Sequence, residues 1–198
     1  MKQTARIWFH TKKWKNCLIF NMRVTGGKYK GYNIKCPPGE IRPTMDMVRE
    51  SLFSIIDSEL QGGTFLDLFG GSGIMSIEAV SRGAAKAVLI EKDKLKIPVI
   101  LENLSICSEK SIFCHFISAE LYLKRAKDSF DIIYCDPPFN YNHHIDLLKT
   151  FAEGKILNPG GLVLMHHPKE KPLPEILGKL KKIDTKKYGR SILDFYQG

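Results

Sequence analysis

From residue 64 onward, short apolar runs alternate with stretches whose apolar residues recur every three or four positions. The runs at 64–68, 86–91, 112–117, 130–135 and 161–166 predict strands. The stretches between them, at about 73–82, 94–106, 119–127 and 143–153, predict helices. Strands that read as continuous apolar runs, separated by helices, imply a mostly parallel sheet buried on both faces. Pro98 falls inside the second helix and is expected to weaken or kink it. Beyond Pro172–Lys179, the segments 181–187 and 191–196 predict two closing strands with a hairpin about Gly189. The expected class is therefore α/β: a Rossmann-like, seven-stranded, mostly parallel sheet with helices on both faces.

The chain ahead of residue 64 reads differently. Arg23–Lys35 carries glycines at 26, 27 and 31 between short β-prone pieces, which predicts a small N-terminal ribbon. Arg42-Pro43-Thr44 then opens a helix capped by Thr44, with Met45, Val48, Leu52, Ile55 and Ile56 on one face. Residues 1–21 hold two Trp, five basic groups, no acid and no period. They are set apart as an appendage, and Met22 makes a sensible start for the patterned chain. The expected division is 1–21 appendage and 22–198 one domain, with 22–41 as ribbon and 42–198 as core.

Charge adds a partner class. The net charge is +9, yet residues 51–168 are mildly acidic and the flanks are basic. A basic periphery suggests a polyanion-binding surface built from the ends of the chain. No apolar run approaches the ~20 residues of a membrane span, and lysines 12, 13 and 15 interrupt any signal-like opening. Five scattered cysteines without CxxC argue against a zinc ribbon or a disulfide scaffold and point to a reducing cytoplasm.

Three motifs carry candidate chemistry. In the stretch from Thr64 to Gly73, an apolar strand runs into a turn with Gly70, Gly71 and Gly73. Glycines there let a ligand approach the backbone at a helix N-terminus. The third glycine of a dinucleotide loop is missing, and Asp67 before the turn suits an ammonium group, favouring a ligand with an amino-acid moiety. Glu91 ends the second strand about 20 positions on, where an acid can accept both ribose hydroxyls, while Asp93 caps the next helix. The fourth strand ends in Asp136-Pro137-Pro138-Phe139. Asp136 and the Pro137 carbonyl could accept two hydrogen bonds from one exocyclic amine, and Phe139 could stack on the ring that bears it.

The order DLFGGSG, EKD, DPPF resembles the class I S-adenosylmethionine-dependent methyltransferases that act on exocyclic amines. With RVTGGKYKG and RPTMDMVRESLFSII, the chain is similar to the RsmD family from about residue 22 to 197. The resemblance implies an enzyme that methylates the N2 amine of a guanine in 16S ribosomal RNA, as a cytoplasmic monomer whose partner is the small ribosomal subunit or its precursor. It implies S-adenosylmethionine as cofactor, held by Arg42, Thr44, Asp67, Gly70, Gly71, Gly73 and Glu91. Where the family tends to have Asp-Ala or Asn-Ala to meet the adenine amine, this chain has Ser118-Ala119, a weaker acceptor. Asp136, Pro137 and Phe139 would receive the target base beside Pro138, and Arg23, Lys28 and Lys30 would hold phosphates.

No metal site is expected, because His143-His144 and His166-His167 are adjacent pairs without i, i+4 spacing. His166 and His167 are expected to follow the fifth strand and border the cleft without doing chemistry, and Cys135 is expected to pack. Two rival readings stand beside the main one. The first is the same chemistry on adenine or a protein glutamine; the second is an RNA-binding module that keeps a vestigial cofactor fold.

Overall fold

The computed structural model describes residues 22–37, 46–108 and 110–198. The ribbon pairs β1 (Met22–Arg23) with β2 (Asn33–Ile34) antiparallel. Helix α1 (Asp46–Ile55) and the single turn α2 (Asp57–Leu60) lead to β3 (Thr64–Leu68). Alternation follows through α3 (Ile74–Ser81), β4 (Lys86–Ile90), α4 (Ile97–Leu104), β5 (Ile112–His115), α5 (Ala119–Arg125), β6 (Phe130–Cys135), α6 (His144–Ala152) and β7 (Leu157–Pro168). The last strands are β8 (Ile176–Leu177), β9 (Leu180–Tyr188) and β10 (Ser191–Gln197). Gly189 turns the hairpin between β9 and β10 with φ 63°.

The main sheet has eight strands in the order β5-β4-β3-β6-β7-β10-β9-β8, one more than the seven expected. The extra member, β8, pairs only two residues with β9. It lies in a proline-interrupted stretch at the sheet's edge, where no apolar alternation announces a strand. The pairs from β5 to β7 are parallel, and those among β7, β10, β9 and β8 are antiparallel. The chain winds outward from β3 to β5, then returns to β6 and winds the other way. Beyond the carboxyl ends of β3 and β6 lies the crevice where open α/β sheets bind ligands.

Strand alternation divides the core. Phe65, Ile132, Tyr134, Leu164 and Phe195 pack with residues of α1 and α3. Leu66, Leu68, Ile133, Cys135, Val163 and Met165 pack with residues of α5 and α6. Both faces are thus apolar, as the continuous runs required.

Helix α1 departs from its predicted face. Leu52 and Ile56 are buried, but Ile55 is 39% exposed, while Arg49 and Phe53 are fully buried. The stripe is rotated because Arg49 is drawn inward by Glu78 on α3, Nε to Oε1 3.3 Å. The guanidinium also donates to Asp46 and to the Arg23 carbonyl. Glu78 in turn accepts from Thr25 N and Oγ1 and from Arg82. Removing one charge of this buried pair would strand the other, at about 3–5 kcal/mol. The expected Thr44 cap and Met45 lie outside the described residues. Pro98 does not kink a long helix. A 3₁₀ turn at Lys94–Lys96, capped by Asp93, precedes it, and Pro98 sits in the first turn of α4, where a missing N–H is harmless.

Candidate active site

The glycine turn is built on unusual backbone. Phe69, Gly71 and Gly73 all have positive φ, at 72°, 57° and 83°. A Cβ on Gly70 would stand 2.5 Å from Leu89 Cγ on β4. For Phe69 this conformation costs of order 1–3 kcal/mol, and such strain concentrates at functional sites. Nothing in the sequence announced it, since a bulky aromatic stands where the backbone favours glycine.

Asp67 is 1% exposed and accepts from Ser76 Oγ at 2.8 Å. Burial pushes its carboxyl up to about 7; the Ser76 hydrogen bonds oppose the shift, and the nearby Asp136 and Glu91 charges add to it. Glu91, also buried, accepts from Gly71 N at 3.0 Å, Asp93 N at 2.8 Å and Lys96 Nζ at 3.1 Å. Of roughly four acceptor positions on a carboxylate, these donors occupy three. Glu91 therefore shapes the glycine turn as well as facing the crevice. Asn103 adds a further tie, donating to the Ser72 and Lys35 carbonyls at 2.9 and 2.8 Å. Its only signal in the sequence is one amide beside Glu102 on a helix whose other residues are apolar.

The second half of the site is the turn after β6. Asp136 Oδ1 lies 2.6 Å from His166 Nδ1, and Tyr134 Oη donates to Oδ2 at 3.2 Å. Pro137 is buried, whereas Pro138 and Phe139 are exposed. The Pro138 carbonyl accepts from Tyr141 N, closing the turn. The Tyr141 ring packs edge-on against Phe69, centroids 5.3 Å apart, and so joins the two turns. The Arg190 guanidinium, from the β9–β10 hairpin, lies 5.8 Å from the Phe139 ring centroid. His166 and His167 belong to β7 rather than following it. His167 points to the opposite face and is buried against Asp194, Nε2 to Oδ2 3.0 Å.

Three carboxyl groups thus gather at the carboxyl ends of β3, β4 and β6, around a backbone cradle that a Cβ would fill. S-adenosylmethionine carries an ammonium, a sulfonium and a ribose diol, and this donor set fits it. The family model described as Conserved hypothetical protein 95 matches residues 22–197. The chain belongs to the RsmD family. It is 32% identical to the putative rRNA methyltransferase YlbH of Bacillus subtilis over 89% of this chain and 98% of that protein. It is also 32% identical to ribosomal RNA small subunit methyltransferase D of Haemophilus influenzae, over 83% and 89% respectively. The solved structure of a putative methyltransferase, yhhF, from Escherichia coli superposes with a TM-score of 0.82 at 26% identity, covering 90% of this chain and 98% of the other.

The remaining expected site residues of this RsmD-family chain are Arg42, Thr44, Ser118, Arg23, Lys28 and Lys30. Arg42 and Thr44 lie outside the described residues. Ser118 Oγ accepts from Leu121 N as the cap of α5. Arg23 pairs with Asp46, and Lys30 is exposed on the ribbon. Lys28 lines a 590 Å³ cavity with Lys86, Lys110 and Phe113, at the amino ends of β4 and β5. Lys28 therefore lies at the amino edge of the sheet, away from the Asp136 turn. Among the described residues, basic side chains beside the Asp136 turn include Arg190 and Lys171, and Lys171 Nζ donates to the Tyr141 carbonyl. Among the described residues, no group of three or more His, Cys, Asp or Glu is placed to hold a metal ion, and no helix is long and apolar enough to cross a membrane. Cys114 and Cys135 carry free thiols, while Cys36 is disulfide-bonded, a bond the scattered cysteines did not predict.

Proposed function

We propose that this protein methylates the N2 amine of a guanine in 16S ribosomal RNA, acting on the small ribosomal subunit or its precursor. The observation that carries this reading is the Asp136 turn: a partly exposed carboxylate and an exposed Phe139 beside the glycine cradle, at the switch point of the sheet. Bound in that cradle, S-adenosylmethionine would supply an electrophilic methyl group. Asp67 would hold its ammonium group, Glu91 its ribose, and Arg42, Thr44 and Ser118 are the remaining candidates for contact.

The chain's own work is to present the amine. The guanine N2 lone pair is delocalised into the ring, so an unheld amine is a poor nucleophile. Asp136 and the Pro137 carbonyl would accept its two N–H groups, favouring a pyramidal nitrogen with its lone pair exposed. Holding that nitrogen in line contributes more than any proton transfer. The nitrogen gains a methyl group and loses one proton, to Asp136 or to water. Phe139 would stack on the base, which must leave its own stack to enter. Single-stranded RNA loops are the natural targets, with Arg23, Lys28 and Lys30 binding phosphates farther out.

The test is transfer of labelled methyl to small ribosomal subunits from a strain lacking the enzyme, with the modified base mapped. Label on guanine N2 of 16S rRNA is expected. Label on adenine or on a protein, or no transfer, overturns the reading.

A further inference from the structure

Cys135 on β6 pairs in register with Met165 on β7, and Asp136 and His166 each come one residue later. Strand alternation therefore sends both side chains to the same face of the sheet at the same level. Their 2.6 Å contact, Nδ1 to Oδ1, is set by two adjacent strands rather than by the reach of flexible loops. An ionised carboxylate only accepts, so His166 Nδ1 carries the hydrogen whether the ring is neutral or cationic.

Tyr134 lies two residues back on β6, is 3% exposed, and donates to the other oxygen. The terminal torsion of an aspartate is broad and roughly two-fold when nothing holds it. Here each oxygen has its own donor, which removes that freedom and leaves about one acceptor position per oxygen. The Asp136 and His166 side chains are 28% and 25% exposed, so the pair borders the crevice rather than closing a core.

We propose that His166 is a positioning residue for methyl transfer. Its Nδ1–H holds the Asp136 carboxylate in one rotation, with the remaining acceptor positions ready for the N–H groups of the target amine. This rests on the reading of Asp136 as the acceptor of that amine. A displacement of about 1 Å at a reacting centre can cost on the order of 100-fold in rate, so a carboxylate free to turn would slow the reaction without touching the cofactor.

The experiment measures single-turnover methyl transfer to small ribosomal subunits lacking the modification, at saturating S-adenosylmethionine. Cofactor affinity is read by calorimetry in the same variants. His166→Leu should be slower by about 10- to 100-fold, with cofactor affinity unchanged. His166→Asn, whose amide N–H stands near the place of Nδ1–H, should recover most of the rate. In an Asp136→Ala background, His166→Leu should slow the reaction no further, because its effect passes through Asp136.

Wild-type speed in His166→Leu overturns the proposal. So do a joint loss of rate and cofactor affinity, an asparagine variant as slow as leucine, or an additive double variant. If the leucine variant does not fold, His166→Gln replaces it: its amide sits one bond farther out and should be slow where asparagine is not. Wild-type speed in Asp136→Ala would instead remove the parent reading. A slow Asp136→Ala beside an unaffected His166→Leu removes this inference alone.

Discussion

Asp67 and Asp131 stand on the adjacent central strands β3 and β6, at opposite edges of the sheet. Asp131 is half-buried at the amino edge. Burial alone would raise its pKa, but hydrogen bonds from Asn158 and from Thr64 N and Oγ1, at 2.7–2.8 Å, outweigh that and bring it below the usual range. Asp67, at the carboxyl edge, is bonded to Ser76, and two further carboxylates face it. One aspartate is satisfied by its own fold; the other is held in a state that a cation would relieve. The difference separates a residue that fastens strands from one placed for a ligand.

The sharpest way to break this contrast lies at the carboxyl edge. Asp136→Ala should lose about 100- to 1000-fold in single-turnover methyl transfer, by analogy with removing one positioned oxyanion-hole donor. Cofactor affinity, measured by calorimetry, should be nearly normal. Glu91→Ala should weaken the cofactor about 10- to 100-fold, since charge-assisted hydrogen bonds contribute roughly 1.5–3 kcal/mol each. Release of the Gly71 N–H is expected to add to the loss, and a titration giving wild-type affinity would leave Glu91 with a structural role only.

The third prediction concerns pH. With Asp67 raised to about 7, the folded protein holds a proton between about pH 4 and 7 that the unfolded chain has released. Its contribution to stability is full below about pH 4 and is lost as pH rises through 7. Cofactor affinity should run the other way, because an ammonium prefers the ionised carboxylate. Affinity should be about tenfold weaker at pH 6 than at pH 8, and Asp67→Asn should flatten the profile. Smallest in its effect on the reaction is Asp131→Ala. It should cost about 1–3 kcal/mol in denaturant unfolding by leaving buried donors without an acceptor, while cofactor affinity stays as it was. A loss of affinity there would erase the distinction between the two edges.

What the sequence made legible follows the same division. The alternating core was readable because parallel strands buried on both faces leave continuous apolar runs, and β3 and β6 stand where the pattern placed them. The carboxyl-edge acids were readable because a strand ending in an acid or in Asp-Pro-Pro-Phe is chemically odd. Contacts between distant residues were not. Arg49 reads as one more polar position on α1 until Glu78 arrives from α3, and His166 gains meaning only from the β6–β7 register. β8 escaped because two paired residues leave no periodicity, and the left-handed Phe69 because nothing in a phenylalanine announces φ above zero.

Strand β10 comes last in the chain among those of the sheet, yet it lies inside it, between β7 and β9, with Leu193, Asp194, Phe195 and Tyr196 buried. During synthesis, β7 and β9 must therefore wait with open edges until β10 has been made. Those edges expose unpaired backbone and apolar faces to any neighbouring chain. The parallel half, β3 to β6, needs no such late arrival and can assemble while translation continues. Nascent chains stalled before residue 191 are expected to be bound by chaperones or to aggregate.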